Sequence, residues 1–298
     1  MTDSTDSGDR CLLSLVVLAW NNVDLTTRCV ESLRLHTAVD YELILVDNGS
    51  DDGTAEYART AADIAVVNDD NLGFATGMNH GLARASGEFV AFINNDTEFP
   101  ENWAAPLLED FESHPRAGIV LPAVTTAGNP VTVREEPGDG VLVLLPFGEF
   151  PSGVVYVMRT EHIRALGGWD EEYRLASAED LDLAFTVWAH GLDVVLDERV
   201  LVHHEGQASV KNLSDRKTLY RKNLEQFLDR WEAAPIRHPM IDAVDPSVLM
   251  ANQERARTAV TWIRRMLTAR DQAREERARA RAASTRESKG RGWFRARS

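Results

Sequence analysis

The stretch FINNDTEF, residues 92–99, sets the apolar pair Phe92 and Ile93 directly before Asn94, Asn95 and Asp96. Asn and Asp are poor strand residues and good turn residues, so a strand ends here. A carboxylate delivered by a strand end either turns the chain or holds a ligand, and Asp96 is the candidate for holding one. A second such stretch is DNGSDDGT, residues 47–54, where Asp47 closes the apolar run YELILV. These residue types make a turn and a helix cap, and they equally suit a carboxylate that accepts hydrogen bonds from a ribose or base. A calcium loop is excluded, because an EF-hand needs Gly at its sixth position and Glu at its twelfth, where Asp52 and Ala58 stand. The third is AEDLDLAFTVWAHG, residues 178–191, which puts Glu179, Asp180 and Asp182 in the first turn of a helix. The macrodipole favours acids there, and a carboxylate at a helix start also serves as a general base. His203 and His204 are adjacent on a strand and face opposite ways, so at most one reaches a shared site.

The elements that must position these residues alternate regularly. LLSLVVLA (12–19), YELILV (41–46), IAVV (64–67) and EFVAFI (88–93) read as buried strands. Between them lie helical patterns: residues 25–35 with Leu25, Cys29 and Leu33, then TAEYARTAA (54–62) and GMNHGLARA (77–85). That rhythm predicts a parallel α/β sheet, whose ligands bind outside the carboxyl ends of its strands. The polar clusters AWNN, DNGSDDGT, NDDNLGFATG and NNDTEF fall at those ends. A dinucleotide fold wants G-x-G-x-x-G after its first strand, and a P-loop wants G-x-x-x-x-G-K-[ST]; the sequence has neither. Any phosphates must therefore be neutralised by other means.

Beyond residue 100 the pattern predicts a helix at 103–114, strands at 119–124 and 154–158, and a loop or hairpin over 125–150. TEHIRALGGWDEEY reads as a helix closed by Gly167 and Gly168, and Gly191 ends the helix of residues 179–191. Two strands, DVVL and RVLVHHEG, and a polar helix over 212–231 follow. After the break AAPIRHP, one long helix is expected over 247–285, with Ala259, Trp262, Ile263, Met266 and Leu267 on one face.

The net charge of −15 is unevenly spread: residues 253–298 carry 14 basic and 5 acidic side chains, the remainder 18 and 42. An acidic body argues against a nucleic-acid partner and suits a carboxylate-held cation. Cys11 and Cys29 lie outside any C-x-x-C pair, so neither a disulfide framework nor a cysteine zinc site is expected, and a reducing cytoplasm fits. No apolar run is long enough to predict a membrane span, and residues 1–10 read as a disordered lead-in rather than a secretory signal. The expected location is cytoplasmic. The Arg-rich last helix and its closing Trp293 and Phe294 offer peripheral contact at the inner face of a membrane, or a homo-oligomer contact.

Six stretches, VVLAWNN, ILVDNGSDDGT, NDDNLGFATGMNHGL, GEFVAFINNDTEF, RALGGWDEEY and AEDLDLAFTVWAHG, occur in an order that resembles family 2 glycosyltransferases, particularly the rhamnosyltransferase-like branch. The resemblance covers residues 12–232 and implies the GT-A fold, a Rossmann-like mixed sheet flanked by helices. It divides the chain into a lead-in (1–10), a glycosyltransferase domain (11–232) and a helical C-terminal extension (233–298). It implies an inverting, metal-dependent transfer of sugar from a nucleoside-diphosphate sugar to an acceptor hydroxyl. By resemblance, Asp96 ligates Mn²⁺ or Mg²⁺ as the last acid of a D-x-D motif, and His203 is a further ligand, ahead of His204. Asn94 replaces the first acid of that motif, which lowers the charge around the ion by one. Asp180 is implied as the catalytic base with Glu179 beside it, and Asp47 as the acid that contacts the nucleoside. Ala19, Trp20 and Asn21 stand beside the base, and Asn71, Gly73, Gly77 and Asn79 run along the donor, with Asn94 and Asn95 in the same set. Trp169 and Asp170 are expected on the acceptor side, while Asp182 reads as a helix-dipole residue. The competing readings are a catalytically silent sugar-nucleotide or glycan-binding module and a nucleotidyltransferase. The first would lose the base or the metal acid, and the second wants a basic glycine-rich loop that this sequence lacks.

Overall fold

The computed structural model describes residues 11–126, 131–147, 150–175, 177–206, 216–233, 250–269 and 272. The expected lead-in, most of the AAPIRHP break and the Arg-rich end of the last helix lie outside these residues. The first half runs β1 (Leu13–Ala19), α1 (Val23–His36), β2 (Tyr41–Asn48), α2 (Thr54–Ala61), β3 (Ile64–Asn68), α3 (Phe74–Leu82) and β4 (Phe89–Asn94). β1 pairs in parallel with both β2 and β4, and β2 with β3, giving the order β3-β2-β1-β4. All four carboxyl ends therefore share one edge. The order reverses between β1 and β4, the switch point where such sheets open a crevice.

The second half comprises β5 (Thr97–Glu98), α4 (Ala104–Ser113), β6 (Ala117–Val124), β7 (Val141–Leu144), β8 (Val155–Arg159), α5 (Thr160–Ala165), α6 (Glu179–Ala189), β9 (Asp193–His204) and α7 (Arg216–Ala233). A further helix, α8, covers residues 250–269. Antiparallel β8 joins β4 to β6, so the sheet is mixed and continues β8-β6-β9-β5, with β7 on β9. DVVL and RVLVHHEG form one strand, β9, rather than two. Its pairing with β6 slips between Pro122↔Asp197 and Ala123↔Leu201, which absorbs the intervening Glu198, Arg199 and Val200.

Each face of the sheet has its own core, as the alternation of strand side chains requires. Val16, Val46, Val90 and Phe92 pack with α3, α6, α7 and α8, while Leu15, Val17, Leu45 and Ile93 pack with α1 and α4. α8 buries Ala256, Ala259, Val260 and Ile263 in the first of these cores. The described part of the extension is thus packed into the main body, and the expected apolar face of α8 is rotated: Trp262 and Met266 are exposed. Among the described residues no helix is long and apolar enough to cross a membrane.

Candidate active site

The loops after β1 and β2 are zipped together at the crevice. Asn21 and Asn22 hold positive φ, where the Asn21 N–H donates to Ser50 Oγ (2.7 Å) and Asn21 Oδ1 accepts from the Asp51 N–H (2.9 Å). Asp47 is 1% exposed, and its Oδ2 accepts from the Ser50 N–H at 3.3 Å. Its Oδ1 is buried with no partner in the structure, an acceptor held ready at a strand end. Ala19 is buried beneath this crevice and Trp20 is half-buried at its rim.

Asn48, absent from the residues expected at the site, organises the next loop. Its Nδ2 donates to Asn71 Oδ1 (3.0 Å) and the Gly73 carbonyl (3.1 Å), and its Oδ1 accepts from Asn68 Nδ2 (3.0 Å) and the Leu72 N–H (3.2 Å). A signal was present in its place immediately after Asp47, which puts it on the opposite face of β2, facing α3. Gly73 carries φ 89°, and a Cβ there would lie 2.7 Å from the Leu175 backbone nitrogen. That close approach starts α3 at Phe74, three residues earlier than expected.

Asp96 lies just past β4, 6% exposed, with its Oδ1 3.2 Å from His204 Nε2. The other ring nitrogen of His204 faces the Thr126 carbonyl, which orients the imidazole. Burial pulls the His204 pKa down, but the hydrogen bond and charge of Asp96 outweigh it and hold it above its ordinary value. His203 is the correction here: it points to solvent near Glu205, because residues 200, 202 and 204 of β9 face inward. Among the described residues no group of three or more His, Cys, Asp or Glu converges on one point. A carboxylate and an imidazole 3.2 Å apart still fit a hard cation that takes its other oxygens from phosphate and water. Two donors at about 2.1 Å and at right angles on an octahedral ion stand about 3.0 Å apart.

The start of α6 carries the next two acids. Asp180 Oδ1 accepts from the Leu181 N–H (2.8 Å) and Oδ2 from the Gly153 N–H (3.2 Å), two bonds that favour its charged form. Burial nevertheless raises its pKa. Glu179 is 6% exposed with Oε2 unpartnered, and burial, then the charge of Asp180, pushes its pKa up to about 8. Of the two adjacent acids, Glu179 is thereby the one held in its neutral form at neutral pH, while the two N–H groups on Asp180 favour its charged form against burial. One residue beyond Gly153, the Val154 carbonyl accepts from the Asn94 N–H at 3.0 Å. Residues 153 and 154 thus tie the α6 carboxylate to the strand that delivers Asp96.

Two outcomes are expected from this packing. A Cβ on Gly153 would lie 2.6 Å from the Asp180 Cβ, so Gly153→Ala must displace the carboxylate. Displacements of that size cost on the order of 100-fold in rate; steady-state turnover should fall by about that factor with donor binding unchanged. Glu179 ionises at about 8 when folded, above its ordinary 4.5, so the folded chain holds that proton more tightly. The stability this contributes is fully present below the unfolded value and is lost as pH rises through the folded one. Glu179→Gln should therefore melt like the parent at about pH 5 and a few degrees above it at about pH 9. Parallel melting curves at both values would contradict the assignment.

Several expected site residues make contacts within the scaffold. Gly77 lets α3 sit on β1, since a Cβ there would lie 2.5 Å from Leu18 Cδ1. Asn79 brackets residues 169–171, with Nδ2 donating to the Trp169 carbonyl (2.9 Å) and Glu171 (2.7 Å). Asn95 turns away onto α1, where Nδ2 donates to Thr26 Oγ1 at 2.8 Å, while Asn94 is half-buried at the end of β4. Trp169 is 2% exposed among Phe74, Phe92 and Tyr156, so it belongs to the core rather than the acceptor side. Asp170 is bound up in an ion pair with Arg230 of α7. Asp182 is no simple dipole residue: it is buried and accepts from Tyr173 Oη (3.0 Å) and Trp231 Nε1 (2.8 Å).

Residues 14–148 match the family model Glycosyl transferase family 2. The chain is 28% identical over 254 residues to the pre-mycofactocin glycosyltransferase of Mycobacterium tuberculosis, an alignment covering 80% of this chain and 50% of that protein. It thus spans about half the length of that relative. It is 26% identical over 271 residues to the N-acetylglucosaminyl-diphospho-decaprenol L-rhamnosyltransferase of the same organism, covering 76% of this chain and 88% of that one. Among solved structures, S. aureus TarS 1-349 superposes with a TM-score of 0.58 at 15% identity, covering 82% of this chain and 70% of that one. GalNAc-T7 with UDP, GalNAc and Mn²⁺ gives 0.55 at 14%, covering 82% and 54%. At these identities the structural likeness bears on the fold alone.

Proposed function

The chain belongs to glycosyl transferase family 2 and has the GT-A architecture, and on that premise we propose that it transfers a sugar from a nucleoside diphosphate to an acceptor hydroxyl with inversion. The observation that carries this reading is the link through Gly153 and Val154, which sets the Asp180 carboxylate against the strand end bearing Asp96. Asp180 takes the proton of the attacking hydroxyl, its carboxylate aimed by the Gly153 and Leu181 N–H groups. Asp47 offers its bare Oδ1 to the nucleoside, and the loop fixed by Asn48 runs along the donor through Asn71 and Gly73. Asp96 and His204 are the residues that would hold a divalent ion. When bound, such an ion supplies Lewis-acid stabilisation of the departing diphosphate. An imidazole beside the carboxylate favours Mn²⁺ over Mg²⁺. Neutral Glu179 keeps a second negative charge away from the base.

A ligand that binds only the native state raises its melting temperature. UDP-, GDP- and dTDP-linked sugars, each with Mn²⁺ and with EDTA, should produce a rise of several degrees for at least one donor in Mn²⁺ alone. No metal-dependent rise with any of them would count against the reading.

A further inference from the structure

The approach to α6 is strained, with Leu175 at φ 66°, Ser177 at φ 86° and Ala178 at φ 69°. Non-glycine residues hold the left-handed region only where their surroundings impose it. On one side the imposing group is the donor loop: the Phe74 N–H donates to the Leu175 carbonyl at 2.9 Å, and Gly73 packs against the Leu175 backbone. On the other side it is Asn223 of α7, 2% exposed, whose Nδ2 donates to the carbonyls of Arg174 and Ser177, each at 3.2 Å. One amide thus spans the turn from which Ala178 launches Glu179 and Asp180. α7 is itself held against α6 a little over one turn further along, where Trp231 Nε1 donates to Asp182 at 2.8 Å and Arg230 pairs with Asp170 and Asp182.

We propose that Asn223 is a positioning residue for the transfer: by bridging the carbonyls of Arg174 and Ser177 it sets where α6 begins, and so where the Asp180 carboxylate meets Gly153. The donor loop meets this turn at Leu175 but keeps its own support in Asn48, so the bridge bears on the base rather than on the donor. The proposal rests on Asp180 being the base. Asn223 lies more than forty residues beyond that base and on another helix, and it touches neither acid directly.

The test compares the parent chain with Asn223→Asp, which keeps the shape and removes both donors, and with Asp180→Asn. The readout is nucleoside-diphosphate release from whichever of UDP-glucose, UDP-N-acetylglucosamine, GDP-mannose and dTDP-rhamnose the parent turns over. Asn223→Asp should lower kcat by about 10- to 100-fold with donor KM changed by less than about threefold. Glycine adopts positive φ without steric cost, so adding Ser177→Gly should return most of the lost kcat. A wild-type kcat in Asn223→Asp beside an inactive Asp180→Asn overturns the proposal and leaves the base assignment standing. A wild-type rate in Asp180→Asn overturns both. A loss in Asn223→Asp that Ser177→Gly does not relieve shows a general packing role, and also overturns it. If Asn223→Asp does not fold, Asn223→Ala carries the same comparison.

Discussion

Asp180→Asn is expected to lower turnover by about 100- to 10,000-fold, the range that general-base catalysis supplies. The substitution is nearly isosteric, and the amide oxygen can still accept from the Gly153 or the Leu181 N–H, so α6 keeps its start. What disappears is the acceptor of the hydroxyl proton. Donor binding should be untouched, because the donor loops are held by bonds of Asn21, Asn48 and Asn71 that do not involve Asp180. The effect therefore belongs in kcat, and the metal-dependent thermal shift of the variant should match the parent. Neutral Glu179 cannot substitute, since burial has already cost it its charge at neutral pH.

Asp96→Asn should act on the other half of the reaction. The shape at the end of β4 survives, but the charge that faces His204 at 3.2 Å is gone. Lewis-acid stabilisation of a leaving group amounts to several kcal/mol, which is more than about 100-fold in donor affinity and turnover together. The thermal shift with Mn²⁺ and donor should vanish, leaving the metal-free value. His204→Ala should follow the same direction, and His203→Ala should be silent because that ring lies on the solvent side of β9. Equal effects from the two histidine variants would contradict the assignment of His204.

What the sequence revealed of this arrangement follows from the range of the interactions involved. The four parallel strands and their polar ends are local patterns, so the sequence alone puts Asp47, Asp96 and Asp180 at strand ends or a helix start. The choice between His203 and His204 depends on strand parity, and the slip between Asp197 and Leu201 in β9 resets that parity where no period shows it. Trp169, Gly77 and Asn79 sit in motifs beside the crevice, yet the Trp169 ring meets the core, Gly77 leaves room for Leu18 of β1 and the Asn79 amide binds residues 169–171, contacts that only the folded chain defines. Asn48 was overlooked because a polar residue after a strand reads as turn, while its four bonds reach residues 20 to 25 positions away. Asn223 and Arg230 were beyond reach altogether, since their partners lie on segments more than forty residues earlier.

The most direct test of the central claim is the anomeric configuration of the product. A single displacement driven by one carboxylate inverts the sugar, whereas a double displacement retains it. ¹H NMR of the glycoside formed from the donor that stabilises the chain best should show the anomeric centre inverted, with product from Asp180→Asn formed at least about 100-fold more slowly. A retained configuration, or inverted product formed by Asp180→Asn at the parent rate, would contradict the account.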